Sequence, residues 1–180
     1  MRATTPFGFA DEMRVGLRGT VRRVWGRRGV KIHQVVQFTY EWRYLFLVVD
    51  GRGGQLHWCW LDSMAAPDVQ AAVGGVRQHT QVRALVWDGA PSHRDADVRA
   101  VDLALIDLPP YSPELNPAER IFQELRRAIE GRVYATLDDK VAAVEAELAK
   151  LEADPARVRS IADWDWINEA VERLPVTQVA

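Results

Sequence analysis

From Leu108 to Gln123 the chain reads Leu-Pro-Pro-Tyr-Ser-Pro-Glu-Leu-Asn-Pro-Ala-Glu-Arg-Ile-Phe-Gln. Proline fixes φ and has no backbone N–H, so a strand arriving at Leu108 must stop at Pro109-Pro110. Asn116, Pro117 and Glu119 then form a helix-start signal, with asparagine as the cap and proline at the first helical position. The stretch therefore reads as strand end, proline-bounded loop and helix start, and it places one carboxylate, Glu119, in the first turn. A second marked segment, Val86-Trp-Asp-Gly-Ala-Pro-Ser-His93, sets Asp88 at the end of a short apolar run.

The rhythm on either side of Ala65 differs. Before it, Phe7 to Ala10 is an apolar run leading into Asp11-Glu12. Thr20 to Trp25 and Lys31 to Tyr40 are rich in β-branched and aromatic residues, with Gly26 to Gly29 between them. Arg43 to Val49 reads as a buried strand, Asp50-Gly-Arg-Gly-Gly54 as a turn, and Gln55 to Leu61 as the returning strand. That is an antiparallel meander. After it, Ala65 to His79 has helical spacing of Val69, Ala72, Val73 and Val76. Arg83 to Trp87 is a strand, Ser92 to Val101 a helix and Leu103 to Leu108 a strand. Helices follow from Asn116 to a stop at Gly131, from Leu137 to Leu151, and from Ile161 to Leu174. A meander followed by strand–helix–strand crossovers predicts an α/β fold. Its mixed sheet of roughly five strands is flanked by helices. Ligands of such sheets gather at the carboxyl ends of strands where the order reverses.

The 180 residues, 48% hydrophobic and 27% charged, suit one domain spanning 1–180. No apolar run approaches the roughly 18 residues of a membrane span, and Met1 to Pro6 contains no apolar leader. A cytoplasmic location is expected. One cysteine, Cys59, excludes an internal disulfide and a cysteine-rich zinc site; in His57-Trp-Cys-Trp60 it reads as a small buried side chain of a strand. The net charge of −2 favours no partner, but its distribution does. Between Met13 and His33 stand Arg14, Arg18, Arg22, Arg23, Arg27, Arg28 and Lys31 with no acidic residue, whereas Leu137 to Arg173 has ten acidic and five basic residues. A basic hairpin insertion between Asp11 and Lys31 can be a solvated face or can lie along a phosphate backbone.

Three carboxylates stand out: Asp11, Asp88 and Glu119. Each has a purely local reading, as a strand-end residue, an Asp-Gly turn former and the third helical residue of a capping box. Together they offer hard oxygen donors without paired histidines or cysteines. Such a set selects Mg²⁺ or Mn²⁺, and two such ions serve phosphodiester chemistry. Asp50 in its turn, Glu114 in the proline-rich loop and Asp107 beside a strand end are competing candidates.

Phe9-Ala-Asp-Glu-Met-Arg-Val-Gly-Leu17, Val86-Trp-Asp-Gly-Ala-Pro-Ser-His93 and Leu108 to Glu119 resemble the three blocks of DDE transposases. The branch is that of insertion sequence 630, in the mariner superfamily. The resemblance implies an RNase H-like fold and an enzyme that cuts DNA at transposon ends. It joins the freed 3′-hydroxyl to target DNA. Carried over by position, Asp11, Asp88 and Glu119 become the metal-binding catalytic triad for two Mg²⁺ or Mn²⁺ ions. Arg18, Arg22, Arg23, Arg27, Arg28 and His93 become candidate DNA contacts, and His93 would orient substrate or a metal-bound water. Gly89 stands where many relatives have asparagine. The helix-turn-helix domains that relatives carry are expected to be absent from these 180 residues, as in a second-frame or truncated product. Expected partners are transposon-end and target DNA, a helix-turn-helix-bearing transposase part or full-length transposase, and a second copy in a homodimer on DNA. The expected setting is prokaryotic, with association to the nucleoid. The rivals are a hydrolytic nuclease on the same fold and a silent fragment that only binds DNA or a full-length transposase.

Overall fold

Strand β1 (Phe7–Gly16) alternates along its length, with Phe7, Phe9, Met13 and Val15 buried against one layer of helices and Ala10 against the other. It pairs antiparallel with β2 (Trp42–Asp50), from Phe9 opposite Val49 to Gly16 opposite Trp42. β2 pairs antiparallel with β3 (Gln55–Leu61). β1 runs well beyond the expected apolar stretch, because Met13 and Val15 continue the two-residue period and β2 supplies partners as far as Trp42. Asp11 is therefore mid-strand, opposite Leu47, and not a strand-end residue. These features come from a computed structural model that describes residues 6–19, 25–33 and 35–173.

Helix α1 (Ala66–His79) buries Val69, Ala72, Val73 and Val76 and leads into β4 (Ala84–Trp87), which is buried along its whole length. β4 lies parallel to β1 on one side and to β5 (Ala104–Asp107) on the other. The sheet order is β3-β2-β1-β4-β5. β1 is thus the strand from which the chain spreads both ways, antiparallel toward β3 and parallel toward β5.

The two faces of this sheet carry separate cores. On one, Phe9, Met13, Leu45, Leu47, Val49 and Val86 meet α3 (Pro117–Ile129), α4 (Leu137–Glu152) and α5 (Pro155–Ala162). On the other, Ala10, Phe46, Val48, Leu85 and Trp87 meet α1 and the short α2 (Ala96–Arg99). α3 buries Ile121, Phe122 and Leu125 completely and Ile129 nearly so. Each such side chain stabilises by about 1.5–3 kcal/mol. Gly131 adopts φ +78° just past the end of α3, the left-handed conformation that stops a helix. Gly54 needs φ +68° to close the β2–β3 turn, and a Cβ there would lie 2.3 Å from the Pro155 carbonyl oxygen.

Three expectations change. Ser92–Val101 is a 3-10 turn (Pro91–Arg94) followed by the four-residue α2. Asp95 stays extended and accepts from the Asp97 N–H, so it starts a new helix instead of continuing one. Ile161–Leu174 is split between α5 and α6 (Asp165–Arg173), with Asp163 and Trp164 between them. The insertion does join β1 to β2. Its base is tied by Leu17 N–H to Glu41 O at 3.0 Å and Gly19 N–H to Gln37 O at 2.9 Å, yet the described residues 25–33 and 35–41 form no strand. Glycines 26 and 29 and the exposure of nearly all the side chains leave that segment no buried face on which to register. Arg22 and Arg23 lie outside the described residues. Among those residues no helix is long and apolar enough to cross a membrane.

Candidate active site

Asp11 and Glu12 are consecutive on β1, so the pleat sends them to opposite faces. Asp11 turns toward the start of α3. Asn116, 2% exposed, caps that helix by accepting the Ala118 N–H at 3.0 Å. Its Nδ2 donates to the Ala10 carbonyl at 3.0 Å and to Asp11 Oδ2 at 3.3 Å. The cap therefore pins the helix start to β1 beside Asp11.

Glu119 sits in the first turn of α3, where helix partial charges favour an anion. It does not close the expected capping box: the Asn116 N–H donates to Pro113 O at 3.0 Å instead. Glu119 Oε2 accepts from Arg126 Nη1 at 3.4 Å. Its carboxylate is thus not needed to build the helix start.

Asp88 follows directly on β4, two residues beyond the Phe9–Val86 pair, so the same parallel register sets it level with Asp11. Its side chain is 60% exposed. Oδ1 accepts from the Ala90 N–H at 3.0 Å and lies 2.9 Å from His93 Nδ1 in an ion pair. The bond to His93 comes first among the causes that hold its carboxyl below the usual range, with the Ala90 bond adding to it against the effect of burial.

The electrostatics join the three acids. Burial is the largest cause that raises the Asp11 pKa to about 7; the Glu12 N–H bond at 2.8 Å opposes it, and the charges of Glu119, Glu12 and Asp88 add to the rise. Burial first, and neighbouring negative charge after it, thus disfavour the ionised form of Asp11. The donor chemistry fits a hard divalent cation, which would relieve that repulsion. Among the described residues, however, no three carboxylate, imidazole or thiol groups are gathered tightly enough to hold an ion as they stand. Asp88 is drawn to His93 and Glu119 to Arg126.

On the opposite face Glu12 was missed as a functional candidate. Its side chain is 6% exposed and its Oε1 accepts from His93 Nε2 at 3.1 Å. His93 is 1% exposed, stacks on Trp87 with 4.0 Å between centroids, and also donates Nδ1–H to the Asp88 carbonyl at 2.9 Å. Burial alone would lower the His93 pKa, but the bonds to Asp88 and Glu12 and the Glu12 charge outweigh it and push it up to about 10. His93 is buried, and its ring nitrogens contact Asp88 and Glu12.

Of the competing acids, two have other partners and the third is exposed. Asp107 pairs with Arg99, Asp50 accepts the Gly53 N–H of its own turn at 2.9 Å, and Glu114 is exposed in the loop before α3. Cys59, expected to be buried, is half-buried on β3.

The β1–β2 connection exposes Arg18, Arg27, Arg28 and Lys31 together with Trp25, Phe38, Tyr40 and Trp42. Arg18 lies 5.0 Å over the Tyr40 ring and Arg14 5.6 Å over Trp42. Cations interleaved with aromatic faces suit a nucleic-acid strand.

Residues 6–140 match the model of the DDE superfamily endonuclease family. An uncharacterized protein of Sinorhizobium fredii, y4pE/y4sA, is 30% identical over 134 residues, covering 72% of this chain and 99% of the relative. The Mos1 strand transfer complex superposes with a TM-score of 0.65 at 15% identity over 89% of this chain and 54% of that one. The catalytic domain of Mos1 mariner transposase gives 0.57 at 14% identity over 89% and 80%. A Mos1 paired-end complex with Mn gives 0.63 at 15% identity over 88% and 54%. The chain thus spans about half the length of the transposase in those complexes, and at such identity the likeness shows a shared fold, the RNase H-like mixed sheet. With the family model matched over most of the chain, this protein belongs to the DDE superfamily endonucleases.

Proposed function

We propose that the chain is the catalytic domain of a DNA transposase, which cleaves DNA at the ends of its element and transfers the freed 3′-hydroxyl to target DNA. One observation carries this reading. In a DDE endonuclease, Asp11 on β1, Asp88 after β4 and Glu119 in the first turn of α3 stand close enough that the charges of the other two, after burial, raise the Asp11 pKa. These three side chains would hold two divalent cations, Mg²⁺ or Mn²⁺. Bound there, the cations would activate the attacking oxygen and stabilise the leaving one in an in-line displacement at phosphorus. Mos1, on the same fold, has been crystallised in paired-end complexes with Mn and with Mg.

The protein's own groups position the reaction. The Asn116 cap holds the helix bearing Glu119 against β1, and His93 holds Asp88 from below. Arg18, Arg22, Arg23, Arg27 and Arg28 would grip phosphates without reading sequence. Reading the terminal repeat requires side chains placed against base edges. A helix-turn-helix-bearing part of the transposase, or a full-length copy paired with this one on DNA, would supply them. Residues 1–180 alone should bind DNA with a dissociation constant on the order of micromolar or weaker at physiological salt.

The test is incubation of residues 1–180, with and without a helix-turn-helix-bearing partner, with Mg²⁺ and end-labelled DNA carrying the element's terminus. Metal-dependent nicking plus a joined product is expected. Nicking that never yields a joined product would leave a hydrolytic nuclease. A strong preference of residues 1–180 alone for the terminal repeat in gel-shift competition would refute the non-specific grip.

A further inference from the structure

We propose that His93, clamped by Glu12, is a positioning residue that fixes Asp88 with one carboxylate oxygen anchored and the other presented to the reaction. The proposal rests on the reading of Asp88 as a metal-binding residue.

A strand-end aspartate with a 60% exposed side chain would ordinarily sample several rotamers. Here both contacts to the Asp88 carboxylate fall on Oδ1, a hydrogen bond from the Ala90 N–H at 3.0 Å and an ion pair with His93 Nδ1 at 2.9 Å. Among the described residues Oδ2 has no hydrogen-bond partner. One oxygen is tied to the protein, and its neighbour is left for a ligand.

The support beneath is rigid in every direction. His93 Nδ1–H donates to the Asp88 carbonyl at 2.9 Å, so the ring nitrogen that pairs with the Asp88 side chain is bonded to the backbone of the same residue. The ring lies flat on Trp87, at an interplanar angle of 0°. Its other nitrogen donates to Glu12 Oε1 at 3.1 Å, on a side chain 6% exposed. Arg99 donates to the His93 carbonyl at 2.7 Å, which fixes the 3-10 turn that carries the ring. Groups behind a ligating side chain commonly orient it in this way.

Consecutive residues of β1 thereby serve the same site from its two sides. Asp11 faces it directly, and Glu12 reaches it through His93. The adjacency of Asp11 and Glu12 has a structural use that neither residue alone reveals.

Two isosteric changes separate positioning from packing. His93→Asn puts an amide N–H near the place of Nδ1 and keeps the hold on Asp88. His93→Gln puts it near Nε2, keeps the contact with Glu12 and releases Asp88. Mn²⁺ affinity is read by electron paramagnetic resonance titration, kcat and KM by cleavage of a DNA substrate in Mg²⁺, and folding by circular dichroism. For His93→Gln, Mn²⁺ affinity and kcat should each fall by about 10-fold or more, with KM for DNA unchanged. His93→Asn should stay within about threefold of wild type. Equal effects of the two changes, or an unaltered Mn²⁺ affinity in His93→Gln, would overturn the proposal. If His93→Gln does not fold, Glu12→Gln takes its place: it keeps an acceptor for Nε2–H and should lower Mn²⁺ affinity by a smaller factor, and no change there would count against the clamp. Asp88→Asn distinguishes the two levels. Loss of Mn²⁺ binding in Asp88→Asn with none in His93→Gln retains the site and removes the clamp. Unchanged Mn²⁺ binding in Asp88→Asn removes the site itself.

Discussion

Asp11 and Glu12 are chain neighbours, each in contact with a residue from far along the sequence, yet they solve opposite electrostatic problems. On the α3 face, Asp11 is surrounded by acids and has only an amide, Asn116, beside it. Burial, and then the charges of these acids, raise its pKa to about 7. On the α1–α2 face, Glu12 meets His93, a cationic partner on an apolar shelf made by Trp87. That charge is matched, and the histidine keeps its proton to about pH 10. The difference separates a face built for stability from one that stores repulsion, and stored repulsion at a site is what an incoming cation can release.

The largest effects should come from the α3 side of this comparison. Asp88→Asn and Glu119→Gln are each expected to abolish Mg²⁺-dependent DNA cleavage. Glu119→Gln should hardly move the melting temperature, because it caps nothing and its half-exposed pair with Arg126 at 3.4 Å is worth at most about 1 kcal/mol. Full cleavage by Glu119→Gln would remove that residue from the mechanism.

Glu12→Ala is the strongest test of the opposite face. It removes the bonded carboxylate at Nε2 and leaves Asp88 as the remaining acid beside the buried histidine, so urea denaturation should show a loss of about 1.5–3 kcal/mol. A loss below about 1 kcal/mol would mean that the Glu12–His93 pair is not a fixed element of the fold.

Asp11→Asn should do the reverse. It removes an opposed charge, so the metal-free protein at pH 8 should gain about 1–2 kcal/mol while losing activity. The accompanying pH dependence follows from the sign of each shift. Asp11 has a folded pKa of about 7, above its ordinary 3.8, so the folded state binds more protons in between. Metal-free stability should therefore fall as pH rises from about 4 to about 7, and Asp11→Asn should flatten that fall. His93, raised from 6.5 to about 10, contributes stability that is complete below pH 6.5 and lost as pH rises toward 10. Mg²⁺ or Mn²⁺ should stabilise more at pH 8 than at pH 5, since the ligand must shed its proton. Denaturation series with and without metal would check all three slopes.

The smallest effect concerns neither acid. Replacing Arg27 and Arg28 by Ala should weaken DNA binding alike for all sequences. The slope of log affinity against log salt should fall by about 0.9 for each phosphate that the protein no longer neutralises. An unchanged slope would return the β1–β2 connection to a solvated surface.

Local rules account for much of what was legible. The prolines after Leu108, the Asn116-Pro117 helix start, the apolar face of α3 and the stop at Gly131 all depend on near neighbours, and all stand in the structure. The order of strands and helices followed from the same periodicities. What misled was local chemistry with more than one outlet. Glu119 fits a capping box, but Asn116 N–H finds Pro113 O. The run from Ser92 to Val101 fits a helix, but Asp95 caps a new one. The β-branched and aromatic residues near Lys31 fit a strand, but there is no buried face to hold them in register.

By itself, then, the sequence determined that Asp88 follows a strand and that Glu119 stands at a helix start, because apolar run, proline and cap are short-range constraints; that Asp11 is mid-strand depended on its pairing with β2. It also placed His93 five residues after Asp88. Only the tertiary structure decided that His93 lies under the site and not on its surface, because the parallel pairing of β1 with β4 brings Glu12 to a ring 81 residues away. It likewise decided that Asn116 ties α3 to Asp11 across 105 residues. Charge and burial at a site depend on what the chain brings together from afar, and no window of neighbouring residues contains that information.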